Sequence, residues 1–179
     1  MNIFITIEMN ILLNANDVSL SQFYFLDKKT NMIMDGVFTK FMYSNHCMTM
    51  NGLFIDFPIK NVMTNRIHSK NIIQLDTVNN KDLFQKLIEL EKQILQYYVQ
   101  YFCDLHTDMR FSNEKRHSIQ NKTIIYTLKN QLQSGSIKYY KEYDSYSKPG
   151  LYYIKISGIW ENHSEIGITF KLIEYQKQI

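Results

Sequence analysis

The chain has 179 residues, 45% of them hydrophobic, and a net charge of +3 at neutral pH. That apolar share at a mean hydropathy of -0.30 excludes a disordered or low-complexity chain and fits one domain with a substantial core. No run approaches the ~18 apolar residues of a membrane span, so no membrane partner is expected, and mild basicity permits a polyanionic partner without requiring one.

Aromatic residues reach 14%, from 13 Tyr, 11 Phe and 1 Trp, a supply that suits strands, interfaces and base stacking. Only Arg66, Arg110 and Arg116 are arginines; the other basic residues are lysines. Asn, Ile, Lys and Tyr, all heavily used, have AT-rich codons, so coding bias is the first account of the lysines. Few arginines argue against bidentate reading of base edges. Cys47 and Cys103 are too far apart in sequence for a disulfide framework, which points to a reducing, intracellular compartment. The opening "MNIFITIEMNILLNA" lacks a basic start and is broken by Glu8, unlike a signal peptide.

Strands dominate the first sixty residues. Ile3, Ile5, Ile7 and Met9 alternate with Phe4, Thr6 and Glu8; "QFYFLD" then runs into the polar turn "KKTN". "NMIMDGVFTKFMYSN" carries a turn or bulge signal at Asp35-Gly36, and "MTMNGLFIDFPI" is punctuated by Asn51-Gly52 and closed by Pro58. Residues 61–79 are polar and irregular, with short strands conceivable at 62–67 and 72–75, and are assigned to a loop. "NKDLFQKLIELEKQILQYYVQYF" is the strong helix, about 81–103. Leu83, Leu87, Leu90, Ile94 and Tyr98 recur at steps of three and four, Asn80 suits the N-cap, and Asp82 complements the positive helix start. Residues 104–150 read as loop-rich, with a short helix or strand in "IIYTLKNQLQSGS" before Gly135 and a Tyr- and Lys-rich loop in "KYYKEYDSYSKPG".

A closing hairpin spans about 151–175. In its first strand Tyr152, Ile154 and Ile156 share one face, with Leu151, Tyr153, Lys155 and Ser157 on the other. In its second, Ile166, Ile168, Phe170 and Leu172 oppose Gly167, Thr169 and Lys171. Ser157-Gly158 is a bulge signal. A bulge would flip parity and turn Trp160 away from the core; without one, Trp160 joins Ile154 and Ile156. Strands, one long helix and a terminal hairpin predict a single α+β domain, mainly antiparallel: a small OB-like barrel or a curved sheet with the helix packed on it.

The hairpin's wet face mixes lysine with aromatics, an arrangement that stacks bases and meets phosphates. The plainer alternative is that Trp160 caps the core and Lys155 and Lys171 are solvated. "FTKFMYSN" repeats the mixture, with Lys40 beside Phe38 and Met42 and Tyr43 on the other face. Lys138, Lys141, Tyr139, Tyr140, Tyr143 and Tyr146 interleave in the loop before the hairpin, a single-strand contact or a solvated loop.

Catalytic signatures are absent. Cys103 and His106 have C-x₂-H spacing, and His46, Cys47 and His117 are conceivable partners, but a zinc site needs four ligands at motif spacings. Cys103 fits a buried thiol at the helix end. Asp27, Asp35, Asp56, Asp104 and Asp108 do not cluster in sequence, and no phosphate-binding Gly loop, G-x-S-x-G or H-E-x-x-H occurs. No cofactor or metal is therefore expected.

"MDGVFTKFMYS", "TMNGLFIDFPI" and "YYIKISGIWENHSEIGITFKLIEY" together resemble OB-fold single-stranded DNA-binding proteins of large DNA viruses. The resemblance covers about half the chain, in three patches, and an AT-rich composition agrees with it. It implies a sequence-tolerant, non-enzymatic binder of single-stranded DNA, or of RNA by the same chemistry. The role would be viral replication, recombination or repair, in host cytoplasm or nucleus. By that analogy Lys40, Tyr43, Tyr153, Lys155, Trp160 and Lys171 contact the strand, joined by Lys138 and Tyr140 from the loop before the hairpin. One departure is the end, "EYQKQI", which lacks the acidic run that recruits partners in phage and bacterial single-strand binders. The competing readings are a structural or interaction module, such as a Tyr-rich homodimer, and a metal-dependent nuclease whose acids converge only in space.

Overall fold

The computed structural model describes residues 11–31, 35–67, 70–105, 119, 121–141 and 150–176; the strand expected at 3–9 lies outside them. The elements are β1 (Phe23–Phe25), β2 (Lys29–Asn31), β3 (Gly36–Ser44), β4 (Thr49–Asn51), β5 (Leu53–Asp56), β6 (Met63–Ile67) and β7 (Lys70–Gln74). Then follow α1 (Lys81–Leu105), β8 (Thr123–Ile125), α2 (Thr127–Ser134), β9 (Ser136–Lys141), β10 (Leu151–Glu161) and β11 (Glu165–Tyr175).

The fold is α+β. Its main sheet runs β1-β3-β10-β11-β9-β7-β6, with β2 and β4 on β3, β5 on β10 and β8 on β11. Because β1 and β6 stand at opposite ends of this order, the sheet is curved and open rather than closed into a barrel. Most pairs are antiparallel, but β8 and β9 both lie parallel to β11. The β10–β11 hairpin is the spine. On one side of it β10 pairs with β5 over Tyr153–Ile156 and with β3 over Gly158–Glu161. On the other, β11 pairs with β8 and then with β9.

The exchange of partners along β10 falls at a bulge. Ile156 faces Phe170 and Gly158 faces Thr169, so Ser157 is an extra residue. Gly52 sits at this junction with φ +95°, and a Cβ there would lie 2.6 Å from the Ile156 carbonyl oxygen, so only glycine fits.

One face of the sheet is covered by the helices. Leu87, Leu90, Ile94, Leu95 and Tyr98 of α1 and Leu128 and Leu132 of α2 join Ile154, Ile156, Ile159, Ile166, Ile168 and Leu172 in one core. Asn80 caps α1 only in position. Its carbonyl accepts from the Phe84 amide, but its side chain turns back to the Lys60 amide and carbonyl (2.8 and 2.9 Å) and pins that loop to the helix start.

The segments assigned to loops hold further strands. Residues 61–79 contain the β6–β7 hairpin, close to the short strands conceivable at 62–67 and 72–75. Ile73 is the fully buried residue of β7, beside a half-buried Ile72 and otherwise polar residues, too weak a period to read. In the 104–150 segment, β9 alternates Ile137 and Tyr139 inward with Lys138 and Tyr140 outward, and its Tyr and Lys content hid that alternation.

Two buried carboxylates fix the helices. Glu91, on α1, is fully buried and accepts from the Leu128 and Lys129 amides at 2.8 and 2.9 Å, capping α2 from another helix. Burial pushes its carboxyl above the ordinary value, and the Lys129 and Leu128 amides pull only partly back. Glu161, at the end of β10, is 3% exposed. It accepts from Lys28 at 2.6 Å, Tyr98 at 2.5 Å and Lys122 at 2.8 Å. Burial opposes its charge, but the hydrogen bonds from Lys122, Lys28 and Tyr98 prevail and hold it below the ordinary carboxyl value. Burial also raises the Tyr98 hydroxyl above its usual range, and the Glu161 charge adds to this, so Tyr98 donates as a neutral phenol.

Two outcomes follow. Glu91→Ala should cost about 1–3 kcal/mol by leaving buried amides without an acceptor. It should also speed exchange at Leu128 and Lys129; unchanged protection there would remove the capping role. For Glu161 the folded carboxyl titrates below its unfolded value near 4.5. Its stabilisation is therefore present above that pH and lost as pH falls through the lower, folded value. Glu161→Gln should destabilise by on the order of 3 kcal/mol at neutral pH, with the gap to wild type narrowing as melts are taken toward about pH 3. A pH-independent gap would contradict the assignment.

Candidate nucleic-acid interface

The bulge decides what the uncovered face of the sheet presents. Before it, Tyr152, Ile154 and Ile156 face the helices; after it, Ile159 and Glu161 do, both buried. Tyr153 and Lys155 therefore point outward before Ser157, and Gly158 and Trp160 after it. Trp160 lies across its cross-strand partner Gly167, and its indole N–H donates to the Ile168 carbonyl at 3.1 Å. A Cβ on Gly167 would come within 2.6 Å of the Trp160 ring and 2.9 Å of the Ile125 carbonyl, so the glycine is what lets the indole lie down.

Register extends this face across the sheet. Lys40 and Phe38 pair with Gly158 and Trp160, Phe54 with Lys155, and Lys171 with Lys155. Tyr140 pairs with Ile173, so Tyr140 and Lys138 also point outward. Phe54, Tyr153 and Tyr175 form a row of rings with centroids 5.9 and 5.6 Å apart. The Lys155 ammonium lies 4.8 Å from the Phe54 centroid. The Lys138 and Lys171 ammoniums lie 4.6 and 5.1 Å from that of Tyr140. Seven of the eight expected contact positions thus share one face, namely Lys40, Lys138, Tyr140, Tyr153, Lys155, Trp160 and Lys171.

Tyr43 does not share it. It is 1% exposed, on the helix side of β3 against Phe23, and its hydroxyl accepts from the Ser19 amide at 3.0 Å. Its neighbour Lys40 is an odd number of residues away, so pleat alternation sends the two apart. Tyr153 points outward but is only 9% exposed, covered by Phe54 and Tyr175; it forms the floor of the face rather than its surface. Tyr140, at 39% exposure, is an accessible ring. Phe54 escapes a reading of single strands because only cross-strand register brings it beside Lys155, whereas Phe38 already shares the face of Lys40 within β3.

Around the hairpin, charge is sorted between the two faces. Lys28 and Lys122 are bound to Glu161, and Lys141 lies 3.3 Å from Glu174, all on the helix side. On the outward face Lys40, Lys138, Lys155 and Lys171 form no ion pair with a described residue; three of them rest on rings instead. Asp56 and Glu165 are the acids in outward register, at two margins of the hairpin.

Catalytic chemistry has less to stand on. Among the described residues no three His, Cys, Asp or Glu side chains gather where they could hold a metal ion. His106 and His117 lie outside the described residues, and Cys103 packs partly buried on the core. Cys47 and Cys103 are both free thiols, and among the described residues no helix is long and apolar enough to cross a membrane. No protein family, no characterised protein and no solved structure matches the chain.

Gly167→Ala should lift the indole off β11. The expected result is a lower melting temperature, by an overpacking cost of about 1–3 kcal/mol, with Trp160 emission shifted to the red. Emission unchanged from wild type would mean that the ring is not held by this contact.

Proposed function

We propose that the outward face of the sheet binds single-stranded nucleic acid, DNA in the first instance, without sequence preference and without catalysis. The observation that carries this is the row of lysines resting on aromatic rings along the face opposite the helices, extended by Trp160 through the bulge. Bases would stack on accessible rings such as Tyr140 and Trp160, each stack contributing ~1–3 kcal/mol for any base. Lys40, Lys138, Lys155 and Lys171 would meet the phosphates. The groups offered are ammoniums and ring faces, not the bidentate side chains that read base edges, so tolerance of sequence follows. The resemblance of "YYIKISGIWENHSEIGITFKLIEY" to single-strand binders of large DNA viruses supports the same reading, and with it a role in viral replication, recombination or repair.

The test is a titration with a dT oligonucleotide of about 20 residues, following anisotropy and Trp160 fluorescence together. Binding should quench Trp160 and weaken steeply with salt. Lys155→Ala/Lys171→Ala should lower affinity about tenfold at low salt and flatten log K against log salt by about 1.4, two contacts at ~0.7 each. An rU oligonucleotide in parallel separates a DNA preference from general single-strand binding. No binding at low salt would end this reading. If the protein then self-associates with concentration in sedimentation, independently of salt, the aromatic face is a homodimer interface instead.

A further inference from the structure

Beyond the hairpin, the sheet ends in a basic groove of about 540 Å³ where β6, β7 and β9 run out. Arg66, Lys70, Lys138, Tyr140 and Lys141 line it, and no carboxylate does among the described residues. Lys141 is tethered to Glu174 at 3.3 Å, but neither Arg66 nor Lys70 forms an ion pair with a described residue, and both are exposed. Register assigns Lys70, Lys138 and Tyr140 to the outward face and Arg66 and Lys141 to the other, so the groove takes its walls from both sides of the sheet. Lys138 and Tyr140 belong both to this groove and to the face, and Tyr140 also carries the Lys171 ammonium. On the outward face cations and ring are therefore continuous from β10 to Lys70 on β7, three strand spacings or about 14 Å, with Arg66 of β6 on the groove's other wall.

We propose that this groove holds the sugar–phosphate backbone of the same single strand where it leaves the face, with Arg66 and Lys70 on phosphates and Tyr140 as the shared step between the two sites. The occupant rests on the single-strand reading of the face; the groove's role as its continuation rests on charge complementarity and on the shared residues. An arginine suits this place because its fork meets phosphate oxygens two at a time.

The experiment compares wild type with Arg66→Ala/Lys70→Ala on dT oligonucleotides of about 20 and about 4 residues, the short one near the lower end of single-strand site sizes. Both substitutions are on exposed strand residues, and a thermal melt checks that the fold is kept. On the long strand the variant should bind about tenfold more weakly, with the salt slope flatter by about 1.4. On the short strand it should lose less than about twofold, and Trp160 quenching at saturation should match wild type. Equal losses on both lengths, or an unchanged salt slope on the long strand, would overturn the extension while leaving the face as the binding site. Wild type binding neither strand would overturn the single-strand reading and this inference together, a result separable from the first because it does not depend on the variant.

Discussion

One extra residue in β10 governs the rest of the molecule. A strand alternates its side chains strictly, so without Ser157 the residues after it would exchange faces. Glu161 would then point outward and lose Tyr98, and Trp160 would turn toward the helices in its place. Instead the bulge lets Ile154, Ile156, Ile159 and Glu161 all face the helices. It also bends the strand where its neighbour changes from β5 to β3, which is how one hairpin serves two sets of partners. Gly52, with no side chain to clash with Ile156, leaves room for that bend.

Glu161 is the other half of the same arrangement. A buried carboxylate is costly unless each oxygen is occupied, and here Lys28, Tyr98 and Lys122 occupy both. The network joins the end of β10 to α1 and to the residues immediately before β2 and β8. A parity slip in β10 would break it, so the network makes the bulged register the stable one. Its second consequence is electrostatic. Lys28, Lys122 and Lys141 are committed to Glu161 and Glu174, whereas Lys40, Lys138, Lys155 and Lys171 beside the hairpin have no carboxylate partner among the described residues. A net charge of +3 says little about partners; this division of charge between faces says more.

Much of the fold was legible because the signals were local. The 3.6-residue period of α1 predicted a helix about two residues short of Lys81–Leu105, and alternation in the hairpin identified both its faces. The bulge was readable at Ser157-Gly158 as a possibility, but its effect on Trp160 needed the cross-strand register. What stayed hidden was set by tertiary pairing. β6 and β7, conceivable as short strands at 62–67 and 72–75, are held mainly by each other and by β9, with one fully buried residue between them to announce the pairing. Asn80 suits a cap in sequence because caps are local, whereas its side chain is used by Lys60, twenty residues away. Glu91 carried no sequence signal of its role, since the amides it caps belong to another helix. Tyr43 joins Lys40 among the expected contacts only through the resemblance, although pleat parity already separates the two.

The pairing of Lys155 with Lys171 bears most directly on use of the face. Like charges directly opposite on neighbouring strands destabilise a sheet, by something in the range of ~0.2–1 kcal/mol. Here the two side chains lean apart, Lys155 toward Phe54 on β5 and Lys171 toward Tyr140 on β9. Each ammonium is eased by a ring rather than neutralised by a carboxylate, although Asp56 lies diagonally across from Lys155 in register. A fold selected only for stability would gain by placing an acid at one of these positions. Rings leave the charge in place and hold it at a fixed height over a flat surface, ready to be neutralised by an anion from outside. On the proposed reading that anion is a phosphate, and the same rings that support the lysines present the surface on which its base would rest.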